Sequence, residues 1–258
     1  MKTVILIKFG GSIITDKNVP YKARPDVIQR LAKEIKESAS LPIVIANGNG
    51  SFGHTSSLQY GGKKGYKSKE GIAKVCKDVI DLNSIVIDLL IKEGLAAVSL
   101  HPMSMILTNE GKIKKYFFDA IEEVIRQNLI PVLHGDVIWD KKWKSTIYSG
   151  ETILNEIGLY LEKHRFKIGK IIQVGQTDGV YDSKGNTIPV ISKDSWEEVK
   201  RYLFDNKAAD ISGGIKHKIE SSLYIADKGI ETLILNGLVP NELSNALLGK
   251  PVNGTIIN

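Results

Sequence analysis

Lysines set beside glycine turns are the chemically telling residues of this chain. Lys8 is followed by Phe9-Gly10-Gly11-Ser12, and Lys218 follows Gly213-Gly214 by one helical turn. Between them, Asn47-Gly48-Asn49-Gly50-Ser51-Phe52-Gly53-His54 ends an apolar run. Gly135-Asp136, Gly150-Glu151 and Thr177-Asp178-Gly179 repeat the pairing of glycine with a polar or charged residue. Glycine lets backbone N–H groups turn toward a ligand with no Cβ in the way. A helix start adds unpaired N–H donors and the positive end of its dipole. Such a loop is an anion site, most often for phosphate, and His54 puts an imidazole beside one of them. These six loops exceed what one phosphate needs; a donor and an acceptor that both carry phosphate would use them all. Phosphoryl transfer fits this pattern, because its transition state spreads charge over the transferred oxygens and catalysis is positioning plus cationic stabilisation. Lys8 and Lys218 are the candidates for that stabilisation.

Other readings of the same residues stand beside this one. Residues 48–53 also spell G-x-G-x-x-G, the dinucleotide fingerprint. That motif requires a second strand ending in an acid about 20 residues on. Here that distance falls in Lys63-Lys64-Gly65-Tyr66-Lys67-Ser68-Lys69, which is polar, basic and no strand. A glycine turn that binds nothing is the plainer alternative, against which His54 and the other glycine loops argue. Lys8 is either a strand-end lysine snorkelling to water or a ligand lysine at the carboxyl edge of the sheet, where open α/β folds bind; the glycines favour the second. Lys17, in a loop with Pro20, is a second phosphate lysine or a solvated one. The nucleotide motif G-x-x-x-x-G-K-[ST] and the protein-kinase set are absent, so a nucleotide site would be of another type. His101, His134, His164 and His217 show no ligand spacing and read as structural.

The elements that must position these residues alternate. Thr3 to Phe9 reads as a short, buried strand, and 25–38 as a helix with Pro25 in its first turn and Val27, Ile28, Leu31, Ala32 and Ile35 at helical spacing. The apolar run 43–46 is a strand, followed by the glycine loop and a helix opening at Thr55. A flexible basic segment over 61–69 leads to a long helix over 70–93 that ends at Gly94. Its apolar stripe, Cys76 included, is mostly core, with some positions near its start free to line an apolar pocket. Strands are expected at 95–100, 129–133, 170–174, 232–235 and 254–257, helices at 119–127, 195–204, from about 210 to 228 and at 241–247, and hairpins around 109–111 and 140–142. Ser149 caps a helix running to about Lys163. The alternation predicts α/β architecture: a mainly parallel sheet covered on both faces.

Composition limits the partners. The chain has 258 residues, with 42% hydrophobic and 25% charged, ordinary for one large or two modest globular lobes. The net charge of +6 suits phosphate-bearing small molecules. It is too diffuse for nucleic acid. No segment approaches a membrane span, and the single cysteine, Cys76, points to a reducing, cytoplasmic setting.

The ensemble resembles the amino acid kinase superfamily. Lys8-Phe9-Gly10-Gly11-Ser12, the loop ending in His54, Gly135-Asp136, Thr177-Asp178-Gly179-Val180-Tyr181 and Ser212-Gly213-Gly214 with Lys218 occur in family order from end to end. Within it, residues 50–54 with Ser149-Gly150 most resemble the isopentenyl phosphate kinases, known best from archaea, which use ATP to convert isopentenyl phosphate to isopentenyl diphosphate. The resemblance implies a three-layer αβα sandwich, with about 1–165 as acceptor lobe and about 166–258 as nucleotide lobe, and a homodimer. It implies that Lys8, Gly10, Gly11, Ser12 and Lys17 meet ATP phosphates, that Gly213, Gly214 and Lys218 take the β- and γ-phosphates, and that Thr177 and Asp178 lie in the nucleotide region. Asn49, Gly50 and Gly53 would bring amides to the acceptor phosphate, with Gly50 also near the γ-phosphate. His54 would align the acceptor phosphate and Gly150 border the acceptor. Mg²⁺ would be held mainly by ATP and water, in keeping with the lack of an Asp, Glu or His cluster at ligand spacing. Three departures stand out. Asn49 replaces the middle of three glycines, which asks for a residue tolerant of positive φ. Glu151 stands where the family has an Asp that organises the active-site lysines. Gln176 precedes Thr177-Asp178-Gly179 in place of an Asp or small residue.

Overall fold

The computed structural model describes residues 1–62, 65–66, 68–205 and 213–258. Among them, an eight-stranded sheet forms the centre. Its strands lie in the order Val190–Ile191, Gly254–Ile257, Thr232–Asn236, Phe166–Gly175, Lys2–Phe9, Ile43–Asn47, Ile130–His134 and Ala97–Ser99. Neighbours are parallel except Thr232–Asn236 with Gly254–Ile257.

Alternation along the first strand builds the two outer layers. Ile5, Ile7 and Phe9 face one side, against helices Pro25–Ser38 and Lys69–Lys92. Val4 and Leu6 face the other, against Asp119–Arg126 and Gly150–Lys163. Side chains of a strand point alternately to opposite faces, so a fully apolar strand must be covered twice. The result is the expected three-layer sandwich. A second, four-stranded sheet (Lys144–Tyr148, Asp136–Asp140, Ile106–Asn109, Lys112–Tyr116) carries both expected hairpins.

The sheet also creates the crevice. The chain leaves strand Lys2–Phe9 for Ile43–Asn47 on one side, while Phe166–Gly175 pairs on the other. Connections therefore diverge at the carboxyl end of the central strands, the place where open parallel sheets hold ligands.

Three local expectations change. The helix after the glycine loop begins at Gly50, not Thr55, so His54 lies in its second turn. Within the basic segment, Gly61–Gly62 pairs with Gly65–Tyr66 as a minimal hairpin. It docks on the second sheet, the Tyr66 amide donating to Ser145 Oγ at 3.2 Å. Asp210, Ile211 and Ser212, expected at the start of the penultimate helix, lie outside the described residues; that helix is described from Gly213 to Ala226.

Candidate active site

Lys8 is the last residue but one of its strand, half-buried, with its ammonium 3.1 Å from Glu151 Oε1. Lys218, in the first turns of helix Gly213–Ala226, places its own ammonium 3.8 Å from the same oxygen. Glu151 sits in the first turn of helix Gly150–Lys163, which Ser149 caps by accepting from Thr152 N at 3.1 Å. Burial pushes this carboxyl up, but the charges of Lys8 and Lys218, the Lys8 hydrogen bond and the His217 charge outweigh it and hold the group below its ordinary value. Burial, Lys8 and Lys17 push the Lys218 ammonium down, opposed by Glu151. Two cations therefore converge on one carboxylate, from strands and helices far apart in sequence. The extra methylene of Glu151 does not prevent it from reaching both lysines.

The glycine loops meet backbone to backbone. A Cβ on Gly11 would lie 2.4 Å from Gly50 N, and one on Gly48 would lie 2.7 Å from Gly11 N. Thr15 ties them together: its hydroxyl donates to Gly11 O at 2.6 Å and accepts from Ser51 N at 2.9 Å. Two helix starts, Gly11–Ile14 and Gly50–Tyr60, thus lie side by side. Ser12 is half-buried beside Gly10, whose amide donates to Val174 O at 2.8 Å.

Other expected residues divide. His54 is exposed on the Gly50–Tyr60 helix. Gly150 closes against Asn47 O at the end of the neighbouring strand. Thr177 is exposed, and Asp178 accepts from Asn236 Nδ2 at 2.9 Å on the nucleotide side of the expected lobe boundary. Gly213 and Gly214 open their helix, as expected. Lys17 is exposed on a loop. The amide of Gly53 donates within its helix, to Asn49 O at 3.2 Å, and its missing Cβ makes room for Val79. Asn49 has φ −80, open to any residue; the positive φ falls on Gly50 at +47. What Asn49 adds is a side chain against Gly135, with its buried Oδ1 lacking a hydrogen bond.

Gly135-Asp136 does not offer an open anion loop. Asp136 is buried and accepts from Met103 N at 2.9 Å and Val137 N at 2.8 Å. His134 and His101, without any metal-type spacing in sequence, are hydrogen-bonded at 3.1 Å. Nearby, Tyr66, Val75, Val79 and Val137 form a small apolar cluster flanked by Tyr60, Ile72, Cys76, Met103 and Ile147. Cys76 thus lines this cluster rather than the main core, and burial pushes its thiol up to about 12.

A cavity of about 1070 Å³ opens beside Glu151 and His217, walled by Trp143, Tyr148 and Glu156. Among the described residues no group of three His, Cys, Asp or Glu is placed to hold a metal ion. The donor set is ammonium and amide, which complements phosphate and provides no cage for a bare cation.

A model described as the amino acid kinase family matches residues 3–236. The chain belongs to the amino acid kinase family. Among its relatives is an isopentenyl phosphate kinase of Methanothermobacter thermautotrophicus, 32% identical over 98% of both chains. Another, of Methanocaldococcus jannaschii, is also 32% identical over 98% of both. An X-ray structure of an isopentenyl phosphate kinase is 30% identical, with a TM-score of 0.83 over 98% of this chain and 100% of that one.

Proposed function

We propose that this chain transfers the γ-phosphoryl group of ATP to isopentenyl phosphate, giving isopentenyl diphosphate and ADP. The carrying observation is the convergence of Lys8 and Lys218 on Glu151 beside the two apposed glycine loops. An oxygen of the acceptor phosphate forms the new bond to the γ-phosphorus as the bond to the β,γ-bridging oxygen breaks, and ADP leaves. A phosphate monoester loses its second proton near pH 6 (about 6), so the acceptor arrives as an anion and needs no general base. That agrees with a site whose carboxylate is engaged by two lysines. Lys8 and Lys218 would neutralise charge on the transferred oxygens, while amides at Gly11 and Gly50 orient the two phosphates. His54 would align the acceptor phosphate, and the Tyr66–Val79 cluster supplies apolar surface for a hydrocarbon tail.

In this reading residues up to about 165 supply the acceptor side and those from about 166 the nucleotide side. Mg²⁺ accompanies ATP, and the enzyme is a cytoplasmic homodimer. Among the described residues no helix is long and apolar enough to cross a membrane. The test is ATP consumption with isopentenyl phosphate, dimethylallyl phosphate and fosfomycin, run beside His54→Ala. Turnover on isopentenyl phosphate, lost about 10²-fold in the variant, is the expected result. Turnover confined to fosfomycin would move the acceptor, and none on any of the three would overturn the reading.

A further inference from the structure

Residues 16–22 form a loop between two parts of the site. Its base is closed by the Thr15↔Ala23 bridge and by Asp16 N donating to Lys22 O at 2.9 Å. Lys17 stands on it, exposed, with its charge felt at Lys218. The other end carries Tyr21, at φ +57. An aromatic L-residue in that left-handed conformation is an outlier, kept only where its surroundings over-determine it.

Those surroundings are specific. The Tyr21 ring meets Phe52 edge-on, with centroids 5.8 Å apart. Lys74 Nζ donates to the Tyr21 hydroxyl at 3.3 Å and lies 4.6 Å from the ring centroid. Lys74 is itself paired one turn along its helix with Asp78, a buried carboxylate. Phe52 belongs to the Gly50–Tyr60 helix, two residues before His54; Lys74 belongs to Lys69–Lys92. One exposed side chain, 40% accessible, thus bridges the lysine loop to two helices.

We propose that Tyr21 is a positioning residue: docked between Phe52 and Lys74, it holds the 16–22 loop against these two helices and so keeps Lys17 at the phosphate site. The ring provides the docking surface and the hydroxyl–ammonium bond its direction. Because the same contact touches the His54 helix, nucleotide binding at Lys17 and acceptor alignment at His54 share one mechanical link. The identity of the ligand at Lys17 rests on the phosphoryl-transfer reading; the latch does not.

Equilibrium binding of MgATP to the full chain, measured by calorimetry without acceptor, tests this. Tyr21→Ala should weaken binding about tenfold and Tyr21→Phe about twofold, since the phenylalanine ring still packs on Phe52. In a Lys17→Met background, Tyr21→Ala should add nothing, because the residue acts through Lys17. An equal loss in both backgrounds would make Tyr21 merely structural and overturn the proposal, as would unchanged affinity in Tyr21→Ala. Thermal unfolding of each variant separates folding loss from loss of positioning. The readout needs no acceptor, so a chain that binds MgATP yet fails on isopentenyl phosphate would sink the substrate reading and leave this one standing.

Discussion

Glu151, partly buried, and Asp136, buried, are both acids near the carboxyl edge of the sheet, and their surroundings shift their carboxyls in opposite directions. Glu151 faces Lys8 and Lys218, whose charges outweigh burial. Asp136 has backbone amides for partners; burial raises it to about 7 against the Met103 and Val137 amides and the His101 charge. Its neighbour His134 is driven by burial to about 4, against the pull of its hydrogen bond to Gly135 O. That bond requires His134 Nδ1 to carry the proton. His134 Nε2 then accepts from His101 Nδ1–H, as a neutral His134 ring allows. One acid is therefore held ionised by two cations, while the other is pushed toward its protonated form among backbone amides. Glycine beside an acid looks the same in sequence in both; the difference lies in whether distant lysines arrive.

The sharpest way to break the contrast is to exchange charge for isosteric amide at each acid. Glu151→Gln leaves two lysines facing each other without a counter-charge, and kcat should fall about 10²–10³-fold. Asp136→Asn should leave kcat within about threefold. Equal losses in steady-state assays would show that the two acids serve the chemistry alike.

A second test uses pH. The Asp136 carboxyl, raised from 3.8 to about 7, binds a proton in the folded state that the unfolded chain has released, so stability falls as pH rises across that window. His134, lowered from 6.5 to about 4, has the opposite sign: the unfolded chain binds the extra proton, and stability rises from pH 4 to 6.5. The two slopes cancel between about pH 4 and 6.5. Denaturant unfolding of Asp136→Asn should show stability rising by about 3 kcal/mol from pH 4 to 6.5, and His134→Gln should show it falling by about 4 kcal/mol from pH 4 to 7. Superimposable profiles for the two variants would refute the assignment. Glu151 contributes on the acid side only: its stabilisation is present above the ordinary 4.5 and disappears as pH falls through its lower folded value.

A smaller effect than that of Glu151→Gln is expected from Glu151→Asp, which keeps the charge and withdraws it by one methylene from Lys8 at 3.1 Å and Lys218 at 3.8 Å. A decrease in kcat of about tenfold or less, with MgATP affinity changed less, would show that charge matters more than reach.

Much of this molecule was legible from residue order alone. Helix Pro25–Ser38 was readable at both ends, because proline suits the first turn and the apolar period stops with the helix. The layers followed from fully apolar strands alternating with amphipathic helices. Lys8, Lys218 and the glycine loops were recognisable by type and order, whereas the link of Glu151 to the lysines came only from the family resemblance. Less legible was the start of the helix bearing His54: residues 50–53 look like loop because glycine and serine are poor helix formers, yet Thr15 and the Gly11 backbone receive that helix at Gly50. Asn49 was expected to bear the positive φ that Gly50 bears.

The amino-acid sequence by itself determined the local elements, the glycines that let two loops touch, and the inventory of lysines, acids and histidines. These depend on near-neighbour sterics and on periodicity, which act over a few residues. Only the tertiary structure decided which acid meets cations, which histidines meet each other, and that Tyr21 spans from the Lys17 loop to Phe52 and Lys74. Glu151 and Lys8 are 143 residues apart, and His101 and His134 are 33 apart. Nothing in local sequence encodes such pairings; strand order and register bring the groups together, and burial then sets their charge.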